Sequence, residues 1–451
     1  MVKLTFHGGV GEIGGNKILL EDENTSILLD FGKNFEKERR YYDEPYIKPR
    51  EEKHLIYLGL LPKIEGLYKK DEREPSIDAI LFTHPHADHV DYVRYVKDSI
   101  PLYCGETAKT MILAKEMSAS GHLKEYKIAR MTRDSVDVPK TFKTFRTGDK
   151  KRLGSIEIEP IHVDHSTPGA YAYILHTSGG TIVYTGDFRL HGPRAEMSRE
   201  FVEKAKEASP EALIIEGTNI VDAKTATEKE VKEKISRIVS DAPRLVLAGF
   251  SLNDIDRLKT FYEVAKKNGR KLAMSMKQAY IVYRLREESF PIFRLNDPNI
   301  LIFQREKRTT YKWEKEVIDN FSDNVATGRD INAMQGEVLL AASFYDMNEM
   351  VEILPESGSI YILSQSEPFN EEMEINHEKM LNWLERCGLP LYQVHASGHA
   401  DPHQLKWAIS EIGAKKVFTI HTERPRLMAR YMSDLDTEII SPTEGEMYAV
   451  E

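Results

Sequence analysis

The sequence predicts an α/β protein made of two dissimilar modules, and three observations carry that prediction. The chain has 451 residues, roughly two to three times the usual size of one domain, and 41% of them are hydrophobic. Up to about Ala212 it reads as short strands separated by Gly, Pro and Asp, a hairpin-rich β texture with a few interleaved helices. From Ala212 onward, apolar strands alternate with amphipathic helical stretches, the signature of a mostly parallel sheet flanked by helices.

In order along the chain, VKLTF opens the β region, and NKILLED and TSILLDFG flank a turn at Glu23-Asn24. DAILFTH, PLYCG, IEIEPIHVDH, AYAYILHT and GTIVYTGDF supply further strands. Between Gly32 and Pro75 the charged stretch KNFEKERRYYDEPYIKPREEKH is too long for an ordinary connection and reads as a surface excursion containing a short helix. ALIIEGT, RLVLAGF, KLAMS, NILIF and SIYILSQ are the strands of the second module, with TEKEVKEKISRIVSD and IDRLKTFYEVAKKN among the helices between them. From about Glu371 come the helix EEMEINHEKMLNWLERCG, a strand leading into QVHASGHA, another helix and a last strand, KKVFTIHTE.

Composition excludes several classes of function. Only Cys104 and Cys387 are present, so there is neither a disulfide framework nor a thiolate metal cluster, and a reducing cytoplasm is the expected location. Any metal must be held by His and carboxylate. The net charge of −10 argues against coating nucleic acid by bulk electrostatics, although a local basic groove is compatible with it. No apolar run approaches the roughly 18 residues of a membrane span, and MVKLTFHGG lacks the cationic start and apolar core of a signal peptide.

Gly9-Val10-Gly11-Glu12-Ile13-Gly14 satisfies GxGxxG after a strand, with Asp30 downstream. A dinucleotide site needs a helix after the glycines, whereas this chain continues as an alternating hairpin. The glycines are therefore read as a turn that lets backbone pass close to a neighbouring site.

Thr83-His84-Pro85-His86-Ala87-Asp88-His89 follows the apolar strand AILF and leads into a helix expected to begin near Val90. Imidazoles and a carboxylate are the ligands Zn²⁺ prefers, and a loop at a strand end aims alternate side chains into one pocket. The plain alternative is a set of solvated loop histidines, which would rarely assemble as HxHxDH. His165 (VDHSTPGA), Asp187 (YTGDF) and His421 (TIHTE) also fall at strand ends. Taken singly, each is better explained by the plain alternative, a hydrogen-bonded histidine at a strand end or, for Asp187, a simple turn. Counted with HxHxDH, they allow His84, His86 and His165 to form one site, Asp88, His89 and His421 another, and Asp187 to bridge them.

These residues resemble the metallo-β-lactamase fold hydrolases: Asp30 (LLDFG), His84 to His89, His165 and Asp187 match that family's first four motifs in order. The resemblance implies an αββα sandwich, two Zn²⁺ with Mn²⁺ or Mg²⁺ as assay substitutes, and an Asp30 that orients a ligand loop rather than binding metal. The chain is further similar to the β-CASP branch, nucleases with an α/β domain inserted before the last strands. Glu216 (IIEGTN) matches its motif A, His399 (HASGHA) its motif B and His421 its motif C. On this resemblance residues 1–216 and 371–451 form the lactamase domain and 217–370 the β-CASP domain.

A histidine at motif C resembles the RNA-processing members, and HASGHA, GFSLNDIDR and HSTPGA are most similar to RNase J, particularly its short archaeal type. There are two departures. Gly217 follows Glu216 where the family usually has Ser, and the sequence runs only about thirty residues past His421, so the extra C-terminal domain of bacterial RNase J is expected to be absent. The resemblance implies a 5′→3′ exoribonuclease of single-stranded RNA that favours 5′-monophosphate ends, acts in RNA processing or mRNA decay, and has a homodimer or other RNA-decay proteins as partners. An endoribonuclease of the cleavage and polyadenylation factor type is the second enzyme reading, and a catalytically dead scaffold the non-enzymatic one.

The catalytic residues expected on these grounds are Asp88, Glu216 and His399, with His399 as general acid held by Glu216. The plain alternative for His399 is a loop histidine satisfied by backbone. His395, Ser397 and Gly398 on the motif B loop, and Ser251, Asn253 and Arg257 at a helix start, are candidate phosphate contacts. For the latter three, ordinary helix capping explains the residues equally well.

Overall fold

The computed structural model describes residues 1–43, 46–119, 124–131, 136–221, 226–307, 309–366 and 371–450. The chain forms two compact units, 1–225 with 398–451, and 226–397.

The first unit is built on two seven-stranded sheets. One runs, in spatial order, Met447–Val450, Val2–Gly8, Lys17–Asp22, Thr25–Leu29, Ala79–Leu81, Leu102–Gly105 and Phe142–Phe145. The other runs Glu438–Ile440, Lys416–Ile420, Ala212–Glu216, Gly180–Tyr184, Tyr171–Thr177, Ile156–His162 and Lys151–Leu153. Strand periodicity explains how they stack. Leu4, Phe6, Ile18, Leu20, Ile27 and Leu29 point from the first sheet into a shared core that receives Ile156, Ile158, Tyr173, Tyr184 and Ile214 from the second.

The opposite faces are buried too. Leu28, Ile80 and Leu102 pack outward against Leu55, Ile112 and their neighbours, while Ile161, Val183, Leu213 and Val417 pack against Phe201, Leu405, Ala408 and Met428 of the helices Ala195–Glu207, Pro402–Ile412 and Pro425–Tyr431. Four layers result, the αββα sandwich expected. Ala212–Glu216 and Lys416–Ile420 are parallel neighbours, with Ala212 opposite Lys416, so the second unit is an insertion between two adjacent strands of one sheet.

The second unit has a seven-stranded sheet, in which Val246–Gly249 lies between Val338–Ala341 and Ile360–Leu363 and every pairing is parallel. Its strands are apolar on both faces, as a sheet covered by helices requires. The helix Glu371–Arg386 and the strand Leu391–Gln393 complete this sheet, so the unit ends at 397 rather than at the expected 370.

Other differences have local causes. The stretch from Gly32 to Pro75 holds two short helices, Phe35–Arg39 and Glu52–Tyr57, and Leu55, Leu60, Leu61, Leu67 and Tyr68 enter the core. It is thus packed chain rather than a purely surface excursion. The turn after HxHxDH begins at Ala87, not near Val90, so Asp88 and His89 themselves lie on a helical turn. The glycines at 9 to 14 do join two antiparallel strands.

Candidate metal centre

The ligand candidates converge because both sheets deliver strand ends to one edge of the first unit. His84 to His89 follow Ala79–Leu81, His165 follows Ile156–His162, Asp187 follows Gly180–Tyr184, Glu216 ends its own strand and His421 follows Lys416–Ile420. Three ligand groups form: His84, His86, His165 and Asp187; Asp88, His89 and His421; and Asp187, Glu216, His399 and His421.

Distances within them are short. Nδ1 of His86 lies 3.0 Å from Nε2 of His84 and 3.2 Å from Nε2 of His165. Nε2 of His421 lies 3.2 Å from Oδ2 of Asp88. Oδ2 of Asp187 stands 3.5 Å from His84, 3.2 Å from His89 and 3.8 Å from His421. The other oxygen of Asp187 is buried without a hydrogen-bond partner. An orphaned carboxylate oxygen is rare in a folded core, and here it sits among nitrogens that crowd together with their lone pairs facing inward. The donor set, a mixture of imidazole and carboxylate, therefore fits divalent metal ions.

Electrostatics separates the groups. Burial holds His84 and His165 below the usual imidazole range and pushes His86 down to about 3, leaving neutral rings of the kind metals bind. Burial acts the same way on His89, but the carboxylates of Asp187, Asp30 and Asp88 override it and raise the ring well above the usual value.

Around the ligands lies a supporting shell. Asp30 accepts from the Thr83 backbone N–H at 2.8 Å, from the Thr83 hydroxyl at 2.9 Å and from the Tyr184 hydroxyl at 2.6 Å, and it faces Nδ1 of His89. Asp30 and His421 both have left-handed backbone, with φ of 58° and 52°, and the N–H of His421 donates to the Gly9 carbonyl at 2.7 Å. Gly14 approaches so closely that a Cβ there would lie 2.7 Å from the Asp88 side chain, which is what the glycine turn is for. Nδ1 of His165 lies 2.6 Å from the Gly398 carbonyl, which fixes the proton on Nδ1 and frees Nε2.

Beside the ligands, Nδ1 of His399 stands 3.0 Å from Oε2 of Glu216. Burial alone would lower the His399 pKa, but Glu216 and then Asp187 raise it to about 9.

The candidate phosphate contacts divide between the units: Gly398 belongs to the first, and His395, Ser397, Ser251, Asn253 and Arg257 to the second. Gly398 acts through its carbonyl on His165, a role its sequence position did not reveal. The helix after GFSLND begins at Ile255 and is capped by Asp254, whose carboxylate accepts from the Arg257 N–H, so Ser251 and Asn253 precede its cap. Arg257 corrects its own expectation. Its guanidinium is fully buried, 2.9 Å from Glu228, and donates to Ser364, so it braces the second unit from inside.

Residues 63–235 match a family described as the beta-lactamase superfamily domain, and residues 389–442 match the Zn-dependent metallo-hydrolase RNA specificity domain. Ribonuclease J of Thermus thermophilus is 26% identical over 88% of this chain and 64% of its own length. Ribonuclease J of Mycoplasma genitalium is 24% identical over 93% of this chain and 68% of its own, and that of Sinorhizobium meliloti 26% identical over 96% and 71%. The chain thus spans about two thirds of the length of these relatives. A crystal structure of a protein of unknown function from Enterococcus faecalis V583 superposes with a TM-score of 0.77 at 22% identity, covering 99% of each chain, which shows a shared fold.

Proposed function

Because this chain belongs to the metallo-β-lactamase superfamily and shares ribonuclease J kinship over most of its length, we propose that it is a metal-dependent ribonuclease acting on single-stranded RNA. The observation that carries the reading is the position of Asp187, one carboxylate within 3.2–3.8 Å of imidazoles from both ligand groups, with the Glu216–His399 pair adjoining.

His84, His86 and His165 would hold one cation and Asp88, His89 and His421 the other, with Asp187 within reach of both sets. Two zinc ions so held would supply a nucleophile at neutral pH and neutralise charge on the phosphoryl oxygens. The rest falls to the protein. Nδ1 of His399 is engaged by Glu216, and in this reading Nε2 of the same ring gives a proton to the departing 3′ oxygen. Glu216 orients that ring, and the Phe188 N–H at 3.3 Å helps hold the Glu216 carboxylate.

The direction of attack, 5′→3′ from a 5′-monophosphate, follows from kinship with the ribonuclease J proteins. Among the phosphate contacts expected, Arg257 drops out of this reading, because its guanidinium is buried against Glu228. A cytoplasmic role in RNA processing or decay, as a homodimer or with other decay proteins, belongs to the same reading and rests on that kinship alone.

Metal analysis and a time course on end-labelled RNA test the proposal. Substrate labelled at its 5′-monophosphate should release labelled mononucleotide at once, while the same RNA with a 5′-triphosphate is cut poorly. A first product of internal size, formed equally from both 5′ ends, would replace the exonuclease by the endonuclease reading. No cleavage by metal-loaded protein would remove both.

A further inference from the structure

We propose that Thr218 is a positioning residue whose single hydroxyl ties the Glu216–His399 pair to the metal ligand His421. Its Oγ1 lies 2.6 Å from Oε2 of Glu216 and 2.8 Å from Nδ1 of His421, and its backbone N–H points at the same Glu216 oxygen at 3.2 Å. A third neighbour, the His421 carbonyl, stands farther off at 3.3 Å.

The polarity of this chain of bonds is determined by counting protons. A hydroxyl has one proton to give, and the shortest contact, to a carboxylate oxygen that can only accept, takes it. Toward His421 the same oxygen is therefore an acceptor, so Nδ1 of His421 carries the ring proton. Its Nε2 then presents a lone pair toward Asp88 and Asp187, at 3.2 and 3.8 Å. Nδ1 of His399 donates to the Oε2 that receives the Thr218 proton, which makes that oxygen the common end of two bonds. The order is His421 Nδ1–H to Thr218 Oγ1–H to Glu216 Oε2, with His399 Nδ1–H arriving from the other side.

The backbone is shaped to put Thr218 there. A Cβ at position 217 would lie 2.5 Å from Sδ of Met428 and 3.2 Å from Cβ of Thr422, so glycine lets the Met428 side chain of the helix Pro425–Tyr431 pack directly on this turn. His421 is pinned from the opposite side by its N–H bond to Gly9. The Met428 contact on one side and the Gly9 bond on the other flank the gap that the hydroxyl fills.

The test compares Thr218→Val, which replaces the hydroxyl by a methyl group of similar size, with Thr218→Ser, which keeps it, in the full chain. Thr218→Val is expected to lose about 10–100-fold in zinc retention against a chelator and a similar factor in kcat with KM little changed. Thr218→Ser stays near the parent on both. Selective ¹⁵N-histidine spectra of the unsubstituted protein should show His421 as the Nδ1–H tautomer. An Nε2–H tautomer there overturns the proposal, as does a Val variant that keeps zinc and kcat, or a Ser variant as impaired as the Val one. The kcat arm rests on the ribonuclease reading. If the parent cuts no RNA that reading fails by itself, while the chelator and tautomer measurements still decide the role of Thr218.

Discussion

Oδ2 of Asp30 lies 2.8 Å from Nδ1 of His89, and neither side chain reaches solvent. With Thr83 and Tyr184 also donating to it, this carboxylate receives four bonds and places the first strand layer in register with the ligand loop. Asp30→Asn keeps the size and tolerates the left-handed φ, but it sets an amide NH₂ against groups that donate. It should weaken metal binding about 10–100-fold and lower the stability of the metal-free protein by about 1–3 kcal/mol. Chelator competition and urea unfolding measure the two effects; no change in either means that Asp30 does not orient His89.

Asp187 makes a sharper test of the shared site. Since both ligand groups reach it, Asp187→Ala should reduce metal content at both positions together, not at one alone. Elemental analysis after dialysis reads the outcome. Unchanged metal content with full activity would be incompatible with a shared ligand.

His399 is expected to matter for the chemical step and little for metal. His399→Ala should slow cleavage by roughly 10²–10⁴-fold, the usual worth of a positioned acid, with metal content near the parent's. An RNA with a 3′-bridging sulfur should recover much of the loss, because thiolate leaves without a proton. If the variant cuts that substrate no better than ordinary RNA, His399 has another role.

How much of this was legible in the sequence depends on how local each signal is. HxHxDH is contiguous, so its metal-competent character can be read directly, and the βα alternation after Ala212 announces a parallel sheet without any knowledge of contacts. The same alternation hides the end of the second unit, since Glu371–Arg386 and Leu391–Gln393 would suit either module and only the pairing of Tyr361 with Leu391 assigns them. Arg257 looks like an exposed fork until Glu228, far away in the chain, is seen to neutralise it. Thr218 and the Gly398 carbonyl carry no sequence signal, because their roles exist only in distances to His421 and His165. In the stretch from Gly32 to Pro75, a high density of charge masks the few leucines that anchor it.

A buried cation outside the proposed chemistry gives the fold a pH-dependent stability. Lys17 is 1% exposed, donates to the Gly15 carbonyl at 2.8 Å and stands 5.3 Å over the Tyr92 ring. Burial pushes its pKa from 10.5 down to about 8, partly opposed by Glu12. Between those values the unfolded chain still holds the proton and the folded chain has shed it, so stability rises with pH through this window. The slope from one such group approaches about 1.4 kcal/mol per pH unit at most. Lys140, also lowered to about 8 by burial against the pull of Asp98, contributes with the same sign and remains when Lys17 is replaced. Lys17→Met should therefore be more stable than the parent at pH 7, and the difference should shrink steadily toward pH 9.5 while part of the parent's slope persists. Urea unfolding at several pH values, stopped below the range where tyrosines titrate, measures this. A difference between variant and parent that stays constant from pH 7 to about 9.5 would mean that Lys17 keeps an ordinary pKa in the fold.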